Sequence, residues 1–358
     1  MASKSKKTRL RAYSAEAASA AKAGQGFGEQ VKPVSEFRQD LVSGDWILLA
    51  PIRGGRHQFK GRVKTKLSKN KCPFENPSKF GNAPPVLVYQ KEAKNDWFLQ
   101  IIPNKYPAVG PGDCDFIYQQ GLYKIQTGAG FHELVIFRDH NRYLADFTKG
   151  EIKKVLLAFK ERYQSLAEEK CVEYISIFHN HGEEAGSTVP HPHSQILALP
   201  IVPPDVSHSL NGSRRYFHEH NKCVHCQMLS QELKEKNRII YQNRYMIVIA
   251  PFASRANFEI RIFPKKHLAY FEKVKEQDLT YLADALKLAF FKIYKNLKDS
   301  AFNFFIHTAP TIKNHDYDHY HWHIEILPKF AVFGGFELGT GLDIISVAPE
   351  KAAEILKK

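Results

Sequence analysis

Apolar and polar residues alternate in short runs along most of the chain, and in two places the alternation gives way to a three-to-four-residue period. In the first half the runs are "WFLQIIPN" (97–104), "FHELVIFRDH" (131–140), "EYISIFHN" (173–180) and "HPHSQILALP" (191–200). Each has strand character. Between the second and third, Ile152, Val155, Leu156, Phe159, Tyr163 and Leu166 recur at helical steps. The second half repeats the order with "RYMIVIAPF" (244–252), "FEIRIFPKKH" (258–267), "FNFFIHT" (302–308) and "HYHWHIEILP" (319–328). Its helix carries Leu279, Leu282, Leu286, Phe290, Ile293 and Leu297 on one face.

Strands joined by short connections, with one long helix per half, predict an α+β fold. Each half is an antiparallel sheet covered by a helix, and the two form tandem repeats. The expected boundaries are a disordered basic tail over 1–35, a first repeat over 36–210 and a second over 211–358. Chemically distinctive residues keep the same order in both halves. "CPFENPSKF" from Cys72 answers to "CVHC" (223–226), His140 to His267, His191 to His321, His193 to His323, and Gln195 roughly to Glu325.

Composition narrows the class without choosing the function. Of 358 residues, 43% are hydrophobic and 25% charged, ordinary for a globular protein. No run is long enough to span a membrane and no signal peptide is recognised, so a cytoplasmic protein is expected. The net charge is +14, of which the first 33 residues supply +5, seven Lys/Arg against Glu16 and Glu29. The remaining excess suits a polyanion, from nucleic acid to a phosphorylated small molecule. Five cysteines, an odd number, argue against a disulfide framework in a reducing compartment, and Cys114 and Cys171 have no evident role.

On a strand, residues two apart share a face. His191, His193 and Gln195 therefore line one face, as do His321, His323 and Glu325. Cys223, Cys226, His267 and His321 have the composition of a closed tetrahedral zinc site. Cys72, Glu75, His140 and His191 offer a second set, with a carboxylate in place of the second thiol. With His191 a ligand, His193 is free to act as a nucleophile toward phosphorus. Gln195, Ser187 and Thr188 would supply donors to phosphoryl oxygens, and Gly186 would admit a close backbone approach. In "GDWILLAPIRGGRHQF" (44–59), Arg53 and Arg56 flank two glycines, an arrangement suited to phosphate.

With these residues in hand, the chain resembles the galactose-1-phosphate uridylyltransferase family of the histidine-triad superfamily, over about residues 36–350. The most specific piece is "HPHSQ" after its Gly-Ser-Thr loop, with His140 and the Arg53/Arg56 turn behind it. The resemblance implies ping-pong transfer of UMP between UDP-glucose and galactose 1-phosphate. His193 matches the nucleophile and Gln195 the amide that holds the phosphoryl oxygens. Asn104 and Asn180 match nucleotide contacts, and Arg53 and Arg56 match phosphate-binding arginines. Glu337 in "FGGFELGTG" (333–341) matches a sugar-binding acid. Phe336 stands where tyrosine is usual, and Asp343 where glutamine is usual. "GFELGTG", the C-x-x-C pair and "ALPIVPP" also look like the ADP-glucose phosphorylase branch, which transfers an adenine nucleotide to inorganic phosphate. A homodimer is the family expectation. An alternative of another class is a zinc-containing nucleic-acid-binding protein, although no zinc-finger spacing follows the C-x-x-C pair.

Overall fold

The eight alternating runs fall on eight of the ten strands of a single antiparallel sheet. The structure, a computed structural model, describes residues 34–56, 61–63, 67–91, 96–114, 117–312, 315–330 and 334–358. The expected tail up to residue 33, the side chain of Arg56 and the first residue of the 333–341 segment lie outside them.

The chain opens with β1 (Glu36–Gln39) and β2 (Trp46–Leu49). The first half follows with β3 (Leu87–Gln90), β4 (Trp97–Pro103), a hairpin of β5 (Ile117–Gln120) and β6 (Tyr123–Gln126), and β7 (Phe131–Phe137). Then come α1 (Lys149–Ala167), β8 (Tyr174–His181) and β9 (His193–Leu199). Helices α2 (Pro204–His220) and α3 (Val224–Glu235) lead into the second half. That half contains β10 (Ile239–Gln242), β11 (Met246–Ile249), β12 (Ile260–Pro264), α4 (Glu276–Asn296), β13 (Phe302–His307) and β14 (His323–Pro328). The short α5 (Gly335–Thr340), β15 (Asp343–Ile345) and α6 (Pro349–Lys357) complete it.

The sheet order is β3-β4-β7-β9-β8-β13-β14-β12-β11-β10. Read outward from the β8–β13 junction, both directions give the same sequence of elements, so the repeat seen in the residues is a repeat of topology. At the junction Asn180 is paired with Asn303.

The period-2 pattern decides which face is which. In β7, Val135 and Phe137 enter the main core with Ile196 and Ala198 of β9. Leu134 and Ile136 point the other way, toward Cys72, Phe74 and Ile102. Helices α1 and α4 pack together and cover the main-core face. The six predicted apolar positions of α1 are buried, each worth about 1.5–3 kcal/mol. The helix starts at a reciprocal cap: Thr148 Oγ1 accepts from the Glu151 amide, and Glu151 Oε2 from the Thr148 amide. The opposite face carries His193 and Gln195.

Two features differ from expectation. Strand β15 pairs in parallel with β2, which pairs with β1, so a small separate sheet joins the two ends of the described chain. Its turn and helix were legible as segments, but not their partners. Cys114 and Cys171 form a disulfide. They stand 57 residues apart, and nothing in such spacing marks a pair. Among the described residues no helix is long and apolar enough to cross a membrane.

Candidate active site

His193 opens β9, where the chain enters the sheet from the H-P-H segment. Its Nδ1–H donates to the main-chain oxygen of His191 at 2.9 Å. That bond places the ring proton on Nδ1 and leaves Nε2 with a bare lone pair. The ring is buried, with the edge of Phe74 at 5.0 Å. Burial holds its pKa below the usual histidine range, against the opposing pull of the His191 carbonyl. The side chain therefore presents a neutral, oriented imidazole with a free lone pair on Nε2.

Gln195 lies two residues on and opposite Leu134 of β7. It shares the face of His193, as the period predicts. Its Oε1 lies 2.9 Å from Nε2 of His132. Asn104, at the end of β4, sits against the same ring, its Nδ2 3.2 Å from His132 Nε2. Asn180 on β8 faces the same way as Phe178, which is paired with Gln195. Asn180 Oδ1 accepts from Asn303 Nδ2 at 2.8 Å, and Asn303 also donates to the Ala185 carbonyl at 2.8 Å. So four neighbouring strands, β4, β7, β9 and β8, bring Asn104, His132, the His193–Gln195 pair and Asn180 to one face. The sequence reading missed His132 and Asn303. Both occupy positions of correct parity, but parity does not reveal which strands are neighbours.

The loop before His191 turns at Gly182 and Gly186, with φ +89° and +87°. Both lie in the left-handed region open to glycine. The amide of Ser187 donates to Gly182 O, and its hydroxyl to Val189 O. Those groups brace the loop. Thr188 is exposed.

Two clusters of cysteine and histidine could hold metal ions. In the first, His140 Nε2–H donates to Leu67 O at 2.7 Å, and His191 Nε2–H to Phe137 O at 2.6 Å. Both Nδ1 atoms are then lone-pair donors, yet they lie 3.1 Å apart with Cys72 Sγ 3.4 Å from His191. Such converging lone pairs fit a cation, and the carbonyls supply the outer hydrogen bonds that orient metal-bound imidazoles. Burial raises the Cys72 thiol and lowers His191 to about 4. Cys72, His140 and His191 close to within 4.8 Å. Glu75 sits at the edge of the group, its buried Oε2 3.4 Å from His140 Nδ1 and without a hydrogen-bond donor. Its other oxygen bonds Arg138 at 3.0 Å. In the second cluster, Cys223, Cys226, His267 and His321 close to within 4.8 Å. His321 Nε2–H donates to Pro264 O at 3.0 Å, turning Nδ1 toward Cys226.

The second half has an equivalent of the nucleophile in a different setting. His323 Nδ1 again faces a carbonyl, that of His321, at 3.1 Å. Its Nε2, however, lies 3.4 Å from Glu325, which is held by Arg261 at 3.0 Å. The ring is stacked against Phe263 and His307, and burial lowers its pKa to about 3. Where the first half has an amide beside a ring with a bare Nε2, the second has a buried ion pair.

Arg53 and the 334–341 segment flank the small sheet. Arg53 is exposed in a turn that packs on Ser346 through Gly54. Glu337 caps its own helix through Gly334 N at 3.0 Å, and Phe336 is half exposed. Asp343 bonds Arg255 at 3.1 Å. Among the described residues no hydrogen bond, ion pair or ring contact joins these groups to the His193 face.

Comparison with known proteins agrees with this geometry. An ADP-glucose phosphorylase of Arabidopsis thaliana is 34% identical, over 94% of this chain and 96% of its own. The chain belongs to the galactose-1-phosphate uridylyltransferase family. Residues 30–203 match the family's N-terminal domain and residues 232–331 the HIT domain. A galactose-1-phosphate uridylyltransferase of Thermotoga maritima is 26% identical, over 90% of this chain and 98% of its own. The crystal structure of an Arabidopsis thaliana ADP-glucose phosphorylase with bound ADP-glucose superposes with a TM-score of 0.77 at 33% identity, covering 91% of this chain and 99% of that one. The protein is an enzyme of the hexose-1-phosphate nucleotidyltransferase kind.

Proposed function

We propose that the enzyme transfers a nucleoside monophosphate from a nucleotide sugar through a covalent intermediate on His193. The observation that carries this reading is the bare, oriented Nε2 of His193 beside the Gln195 amide. In the first step Nε2 attacks the α-phosphorus. A phosphorus–nitrogen bond forms, the bond to the bridging oxygen breaks, and hexose 1-phosphate leaves with that electron pair. In the second step an acceptor phosphate oxygen attacks the same phosphorus and the phosphorus–nitrogen bond breaks. Gln195 Nε2 donates to the phosphoryl oxygens in both steps.

Cys223, Cys226, His267 and His321 would hold one zinc ion, and Cys72, His140, His191 and Glu75 a second. The thiolate and imidazole donors suit zinc. Bound there, the metal supplies rigid cross-linking of strand ends. His191, the residue whose carbonyl orients His193, is one of its ligands.

For the acceptor we favour inorganic phosphate, with an ADP-sugar as donor. Phe336 lacks a phosphate-contacting hydroxyl, and Asp343 is committed to Arg255. The identity to the Arabidopsis phosphorylase also exceeds that to the Thermotoga uridylyltransferase. UDP-glucose with galactose 1-phosphate is the second reading, supported by that relative's own activity. A homodimer fits both. Phe37, Trp46, Ile52, Phe336 and Leu338 leave an apolar surface on the small sheet and its flanking segments. A second copy could bring Arg53 and Glu337 to a His193 that they do not reach within one chain. The test measures release of glucose 1-phosphate from ADP-glucose with phosphate, and from UDP-glucose with galactose 1-phosphate, on protein sized by sedimentation. Turnover of the first pair by a dimer is expected. Turnover of the second pair alone, or full activity in a monomer, would contradict the corresponding proposal.

A further inference from the structure

We propose that His132 is a positioning residue, which fixes the Gln195 amide so that its nitrogen faces the transferred phosphoryl group. The inference rests on the covalent-histidine reading above. A glutamine side chain has two nearly isosteric ends, one donor and one acceptor. Toward anionic phosphoryl oxygens only the nitrogen end is useful. Something must therefore set the amide's orientation, and the structure supplies a chain of hydrogen bonds that does so.

The chain starts at a donor whose direction is unambiguous. The backbone N–H of Ala108 donates to His132 Nδ1 at 3.0 Å. Nδ1 is thereby an acceptor, so the neutral ring carries its proton on Nε2. Asn104 Nδ2, 3.4 Å from Nδ1 and 3.2 Å from Nε2, lies between the two nitrogens and along neither in-plane bond direction, so it does not compete for the Nε2 position. That N–H points at Gln195 Oε1, 2.9 Å away. With oxygen committed to His132, both hydrogens of Gln195 Nε2 are turned elsewhere. The flipped amide would set an NH2 group against the Nε2–H of the ring and lose the bond.

The strands hold this arrangement in register. His132 is paired with Leu197 and Gln195 with Leu134, so the two side chains are diagonal neighbours on one face of β7 and β9. On the other side, the Asn104 amide donates to the His132 main-chain oxygen at 2.8 Å. Asn104 Oδ1 then accepts from Tyr106 N at 3.0 Å, forming the turn that delivers Ala108 to the ring. The turn that follows β4 thus returns a backbone N–H to the histidine that orients the amide.

Two variants separate this role from a packing role. His132→Phe keeps a ring and removes the donor. His132→Gln restores a donor near the position of Nε2. Single-turnover transfer of nucleotide to the protein from ADP-glucose or UDP-glucose is the readout. His132→Phe is expected to slow transfer roughly ten- to hundredfold with KM within about twofold, and His132→Gln to stay within about threefold of the parent. In a Gln195→Ala background, His132→Phe should cost nothing further. Equal slowing in both backgrounds would overturn the proposal, as would an unchanged rate in His132→Phe. Histidine 15N spectra of the intact protein give a readout independent of turnover. They should show His132 neutral with its proton on Nε2, and a proton on Nδ1 would overturn the assignment. Should His132→Phe fail to fold, Ala108→Pro removes the exposed backbone donor alone. It should allow the Nδ1–H tautomer and slow transfer, and unchanged spectra would count against the proposal. Absence of any adduct on the parent protein would refute the covalent-histidine reading, whereas the spectra would still decide the ring's tautomer.

Discussion

Single residues carry the chemistry through the hydrogen bonds that fix their protons. Spacing alone disclosed His193 and Gln195, because two positions along a strand share a face. It did not disclose His132 or Asn303, since their value lies in contacts across strands whose adjacency no local pattern encodes. The opposite face of β8 yields a separate expectation. His179 is buried with Nδ1 3.1 Å from Ser194 Oγ, and burial holds it neutral far below its usual range. His181 is also lowered by burial, partly offset by its bond to Asp299. In the unfolded chain both would take a proton near pH 6.5. Below that pH the unfolded state binds more protons, so stability is full above about pH 6.5 and falls as pH drops. For His179 the slope should approach ~1.4 kcal/mol per pH unit, and His181 adds to it in the same direction. Urea unfolding between pH 8 and pH 5 checks this. His179→Leu should be less stable than the parent at pH 8 yet show a flatter acid slope, and an undiminished slope would contradict it.

At the scale of elements, the period-2 runs and the two amphipathic helices were readable because each buries one face in a local, repeating way. The small sheet was not, because its parallel β2–β15 pair depends on residues from opposite ends of the chain. The Cys114–Cys171 disulfide escaped because an odd cysteine count in a reducing compartment argued against any disulfide, and nothing local marks two cysteines 57 residues apart as partners. The second metal cluster was readable only through the repeat. It ties Cys223 at the N-cap of α3 and Cys226 in its first turn to His267 after β12 and His321 before β14. Removing a ligand should therefore loosen α3 against the sheet and leave the β7–β9 face in place. Cys226→Ser is expected to lose about one equivalent of bound metal, to speed amide exchange in α3, and still to form the His193 adduct. Full metal content, or loss of the adduct together with intact exchange protection, would contradict this account of the clamp.

Over the whole molecule, one topology is used twice, and the two copies surround the matching histidine differently. The first half presents a bare imidazole nitrogen beside an oriented amide. The second half turns the corresponding ring toward Glu325 and closes it between Phe263 and His307. The duplication was legible in the order of cysteines and histidines, but the asymmetry emerges only when Arg261 is seen against Glu325. The most direct test is the intact mass of the metal-replete protein after separate incubation with ADP-glucose and UDP-glucose and an alkaline quench, which preserves a phosphorus–nitrogen bond. The account predicts one nucleotidyl increment per chain, adenylyl by preference, absent in His193→Ala and retained in His323→Ala. An increment that survives in His193→Ala, or no increment with either donor, would contradict it.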